Sequence, residues 1–77
     1  MNTGRRKALS QLIPDIERLK NVLEALRDEE QESFDSMPEG LQQSQRGQTS
    51  EEAVSMLESA VDALESAMDN INDAISA

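Results

Sequence analysis

Cysteine, histidine, tryptophan and tyrosine are all missing from this sequence, and Phe34 is its single aromatic residue. Without cysteine, no disulfide or thiolate metal centre can supplement the core. Without histidine or cysteine, the commonest nucleophile, general base and soft-metal ligands are gone. Carboxylates remain, but nothing in the pattern supplies a concave apolar site that would shift their pKa values. The chain therefore reads as non-enzymatic, with no catalytic residue and no cofactor. No apolar run approaches the ~18 residues of a membrane span. Arg5-Arg6-Lys7 is followed by polar helix and not by the apolar stretch of a secretory signal. The expectation is a cytoplasmic protein that does not associate with membranes.

What is present is small and acidic. A chain of 77 residues is one domain, and at that size only about 60% of the unfolded surface is buried, so the core is marginal. An aliphatic core of this kind calls for helical packing or oligomerisation. Charge is uneven: residues 1–27 carry six Lys/Arg against three acids, whereas residues 28–77 carry Arg46 against thirteen. The first part is net +3 and the remainder net −12, which together give the overall −9. An excess of acid on this scale argues against direct nucleic-acid binding.

The strongest periodic signal lies in the second half. Val54, Leu57, Val61, Leu64, Met68, Ile71 and Ile75 alternate steps of three and four, the a/d seam of a helix packed lengthwise on another. Thr49 followed by Glu52 forms a capping box and predicts a helix over about 50–76. The first half carries a second seam, Leu9, Leu12, Ile16, Leu19, Leu23 and Leu26, with Glu30 at the next a position. It predicts a helix over about 5–33. Proline removes one helical hydrogen bond, so Pro14 either kinks this helix or starts it; the seam keeps phase across Pro14, which favours a kink. Pro38, Gly40 and Gly47 mark the intervening loop, about 34–49, with room for one short helical turn at 38–44.

In this heptad frame Lys20 and Arg27 occupy e positions of the first helix, and Glu58 and Glu65 those of the second. Antiparallel pairing places e against e, so it sets Lys20 by Glu65 and Arg27 by Glu58 in one register. The same register layers Leu26 on Val61, Leu23 on Leu64, Leu19 on Met68 and Ile16 on Ile71. The expected fold is an all-α antiparallel two-helix hairpin, resembling a coiled coil. Ala53, Ala60, Ala67 and Ala74 fill every g position of the second helix. Alanine there either serves helix propensity on an exposed face or forms the face on which a second hairpin packs to make a homodimeric four-helix bundle.

Two further surfaces are candidate interaction sites. Glu58, Asp62, Glu65, Asp69 and Asp73 follow one another at helical steps, about 5–6 Å apart, where like charges repel. This row is either a solvated outer face or an imitation of nucleic-acid phosphates, ~7 Å apart along a strand, offered to a basic nucleic-acid-binding protein. Phe34, Met37, Leu41 and Arg46 in the loop form either a plug over the end of the helix pair or a recognition tip. The acids of residues 28–39 lack the spacing of a calcium loop, and no metal site is expected.

The loop and second helix resemble a family of small, acidic, largely uncharacterised bacterial and phage-borne proteins. The similarity rests on RDEEQESFDSMPEGLQQSQRG at Arg27–Gly47 and EEAVSMLESAVDALESAMDNINDAI at Glu51–Ile75, about the last fifty residues. It implies a helical hairpin and brings no established activity, so no site residue follows from it. The function expected is protein–protein interaction. The alternative, from a different class, is an acidic DNA-mimic inhibitor, such as a phage counter-defence factor or an antitoxin.

Overall fold

The computed structural model describes residues 1–77 and is all-helical. Helix α1 spans Thr3–Asp35, α2 spans Glu39–Gln42 and α3 spans Gln45–Ser76. The two long helices pack side by side and give a rod of 58 × 16 × 12 Å. Three hydrogen bonds fix their sense. Arg6 Nη2 donates to the Ala77 carbonyl, Lys20 Nζ to Glu65 and Ser50 Oγ to Glu30. Rising numbers on α1 meet falling numbers on α3, so the pair is antiparallel. No helix is long and apolar enough to cross a membrane.

Asn2 caps α1 by accepting from the Arg5 amide at 2.7 Å, which satisfies one of the unpaired first-turn donors. Pro14 lies inside this helix, which continues on both sides of it. A helix starting at Pro14 is thereby excluded. At the other end, Pro38 disfavours helical backbone at Met37, and α1 stops at Asp35 with Ser36 as its cap. The loop is much shorter than expected. Pro38 starts the single turn of α2, and α3 begins at Gln45, five residues before Ser50. Ser44, not Thr49, is its cap. The Ser44 hydroxyl accepts from the Gly47 amide, while Thr49 already lies one turn inside the helix and its Oγ1 donates to the Gln45 carbonyl at 2.9 Å.

Gly47 is what allows this tight corner. It is buried, and a Cβ at this position would overlap the Gln42 carbonyl and lie 2.6 Å from its Cα. Backbone, unlike a side chain, cannot swing aside. The absence of a side chain thus lets α2 fold directly back on α3.

The core is thin. Val54, Val61 and Met68 are its buried hydrophobic residues, all at a positions of α3, with Leu57, Leu64, Ile71 and Ile75 half-buried beside them. On α1 the expected seam is rotated. Leu9, Ile16 and Leu23 at a and Ile13, Lys20 and Arg27 at e are half-buried, whereas the d residues Leu12, Leu19 and Leu26 are exposed. Leu19 is 54% exposed and Leu26 48%, so in the expected layers of Leu19 on Met68 and Leu26 on Val61 the α1 side is only about half covered. With α1 turned this way, the Lys20 ammonium reaches Glu65 of α3 and its aliphatic stem is largely covered.

Candidate functional site

The hairpin has two unlike edges. One is the e edge, marked by Lys20. Its side chain is 15% exposed and its ammonium lies 3.4 Å from Glu65, 3.6 Å from Glu24 and 3.8 Å from Glu17. Partial desolvation lowers the Lys20 pKa, but the hydrogen bond to Glu65 and the charges of Glu17, Glu65 and Glu24 together outweigh it and raise the value above the ordinary 10.5. The second expected pair does not form: Arg27 bonds to its neighbour Asp28 at 3.0 Å instead of reaching Glu58. Arg27 is only 27% exposed, and its guanidinium needs only its immediate neighbour to find a carboxylate.

The opposite edge is apolar. Because e faces e on the Lys20 side, the d and g rows of α1 and the g row of α3 fall together on the other. There Leu12, Leu19, Val22 and Leu26 are exposed on α1. Ala53, Ala60, Ala67 and Ala74 lie half-buried on α3, and Met56, one position around the wheel, is exposed beside them. Of the seven exposed large hydrophobic residues of the chain, five lie on this edge; Met1 and Leu41 are the others. These five residues form a cluster and are not scattered singly over the surface. The alanines were legible in the sequence. The neighbouring leucines were not, because a perfect a/d spacing assigned them to the internal seam.

The acidic row lies elsewhere. Glu58, Asp62, Glu65, Asp69 and Asp73 are all exposed, and of these only Glu65 meets a cation, Lys20. The loop residues do not act as one. Phe34 and Met37 are half-buried, Leu41 and Arg46 are exposed, and the Phe34 carbonyl accepts from Gln42 Nε2 at 3.1 Å. A polar contact missed by the sequence pattern closes the seam here. Ser50, 5% exposed, donates to Glu30 Oε1 at 2.8 Å. Glu30 stands where the α1 seam would call for an aliphatic residue, and that interruption was the available signal.

The surface holds no pocket, and no group of three or more acidic residues is placed to hold a metal ion. No family model, curated protein or solved structure matches the chain. The resemblance of Arg27–Gly47 and Glu51–Ile75 to small acidic proteins accordingly rests on those residues alone.

Proposed function

We propose that the chain is a non-enzymatic protein–protein interaction module whose working surface is the apolar edge, and that a second copy of the chain covers it to form a four-helix bundle. One observation carries this reading. A hairpin with three buried hydrophobic residues leaves Leu12, Leu19, Val22, Leu26 and Met56 in water along one edge. Burying a fully exposed large aliphatic side chain gains about 1.5–3 kcal/mol; with about half or more of each of these surfaces still in water, covering the edge adds roughly half of that per residue, a sum comparable to the three-residue core. Sedimentation equilibrium tests it on the native chain and on Leu19→Glu. The native chain is expected at twice its 8.5 kDa mass, and the variant at the single-chain mass with its helical circular dichroism intact. A native chain that stays monomeric at every concentration removes the proposal.

A second reading draws on the acidic row, four of whose five carboxylates face no cation. It makes the row a mimic of DNA phosphates for a basic nucleic-acid-binding protein, as an inhibitor or antitoxin would present. Such binding fades with salt, because exposed charges are screened beyond ~8 Å at physiological ionic strength. Charge reversal of Asp62, Asp69 and Asp73 would abolish it while sparing self-association.

A further inference from the structure

We infer that the two copies pair with their corners at opposite ends, about a twofold axis that crosses the rod at the level of Leu19. This inference rests on the dimer proposed above and adds its orientation and register.

Two arrangements stack the apolar edges face to face. In the first, the twofold runs along the rod, and both corners lie at one end. In the second, it crosses the rod, α1 lies on the partner's α1 and the corners lie at opposite ends. Charge separates them. Arg5 and Lys7 at one end of the rod form no ion pair within the chain, nor do Glu29 and Glu32 near the other; Arg6 is already bonded to Ala77. Corners at one end would crowd both acidic ends together and both basic tips together. Opposite corners bring each basic tip to an acidic end.

Register follows from three coincidences. Residue 19 is the midpoint of the exposed leucines 12, 19 and 26, and also of α1, Thr3–Asp35. The alanine ridge, residues 53–74, is centred between 63 and 64. Across the three bonds joining the helices, residue numbers sum to 83, 85 and 80, which sets that centre opposite residue 19 to within a turn. An axis at this level therefore places Leu12 over the partner's Leu26, Leu19 over the partner's Leu19, and alanine ridge over alanine ridge.

Along α1, Arg5 continues the row of exposed leucines at the same sevenfold spacing. The axis sets it beside the partner's Ser33, flanked by the partner's Glu29 and Glu32. Because the axis bisects α1, the two rods overlap over their full length. A face of 58 × 16 Å offers a footprint of about 900 Å² per copy, inside the range of stable interfaces, ~1,200–2,000 Å² counted over both partners.

Double electron–electron resonance on the full chain carrying Gln31→Cys, spin-labelled, reads the arrangement. Gln31 is exposed, and its level in the partner is that of residue 7, twenty-four residues away. At 1.5 Å per residue the expected separation along the rod is about 36 Å. Corners at one end would bring the labels to a common level, within roughly 20 Å, or two helix spacings. A distance near 36 Å with a dimer mass supports the inference. A short distance with a dimer mass overturns the orientation and leaves the dimer standing. A monomer mass with no dipolar coupling overturns both. In a second measurement, Arg5→Glu is expected to weaken association at least tenfold at low salt. Adding Glu29→Arg and Glu32→Arg should restore it, and no restoration would also refute the opposed-corner pairing.

Discussion

Replacing Gly47 with alanine sets two effects of opposite sign against each other. Within a helix, alanine is favoured over glycine by about 0.8–1.0 kcal/mol, and no glycine here has the positive φ that would bar a side chain. Against this, the added Cβ would overlap the Gln42 carbonyl oxygen and sit 2.5 Å from its carbon. Ordinary contact lies about an ångström further out, and only movement of the α2 backbone can provide that space. Overpacking costs about 1–3 kcal/mol, and a backbone obstacle belongs at the upper end, so the net loss is about 2 kcal/mol. For a chain of this size 1 kcal/mol corresponds to roughly 4–8 °C, which makes the expected fall in Tm about 8–16 °C. Gly40→Ala is the matched control. Nothing lies within 4 Å of its added Cβ, and a gain of about 0.4–1 kcal/mol is expected from the restricted unfolded chain alone. Thermal melts followed at 222 nm, at equal protein concentration, read both variants. A Gly47→Ala chain melting at or above the native temperature would refute the close approach of α2 to α3.

Three further outcomes are expected. Asp62→Lys converts its repulsions with Glu58 and Glu65 into attractions, and raises stability by about 0.5–1 kcal/mol in urea unfolding at low salt; no gain means that the row costs the helix nothing. Lys20, with its pKa raised above 10.5, contributes stability that is fully present below the unfolded-state value and is lost as pH rises through the higher folded-state value. Lys20→Gln should flatten the melting profile above about pH 10.5, a region uncluttered by tyrosine or cysteine; a native chain whose Tm does not fall there more steeply than the variant's contradicts the assignment. Finally, Ser50→Ala is expected to cost about 1 kcal/mol by leaving Glu30 without its donor, whereas Ser50→Ala with Glu30→Leu recovers that loss by replacing both polar groups. Equal Tm values for the single and double variants would show that the bond is not felt.

Helix content and pairing sense were legible because they depend on periodicity and on a few charges. The three-four spacing of Val54–Ile75 names the buried rows of α3, and Lys20 with Glu65 fixes the antiparallel register. The corner was not legible. Thr49-Ser50-Glu51-Glu52 carries a better cap signature than Ser44-Gln45-Arg46-Gly47, yet the chain caps at Ser44. The choice is made by a long-range fact, that Gly47 admits the backbone of Gln42, and no local propensity encodes it. Met37-Pro38 did announce a break, and the single turn at α2 falls where proline places it.

The rotation of α1 has a consequence that spacing alone conceals. This helix carries aliphatic residues at both a and d along most of its length, with Ile13 and the stem of Lys20 at e, and so has a stripe wider than one neighbour can cover. A single partner helix covers two adjacent rows. The two covered here are a and e: the e row brings Ile13, an aliphatic stem and a charge with three carboxylates within 4 Å, and the d leucines, which would gain more from full burial, are left partly uncovered. Turning toward e exposes d, and the exposed leucines lie beside the one row of α3 made only of alanine, where another backbone can approach most closely. Within a single chain these d residues keep about half of their surface in water, and exposed leucines in a row invite aggregation. In the dimer proposed above, a third and fourth helix would cover Leu12, Leu19 and Leu26, and the alanine row would give them room to approach.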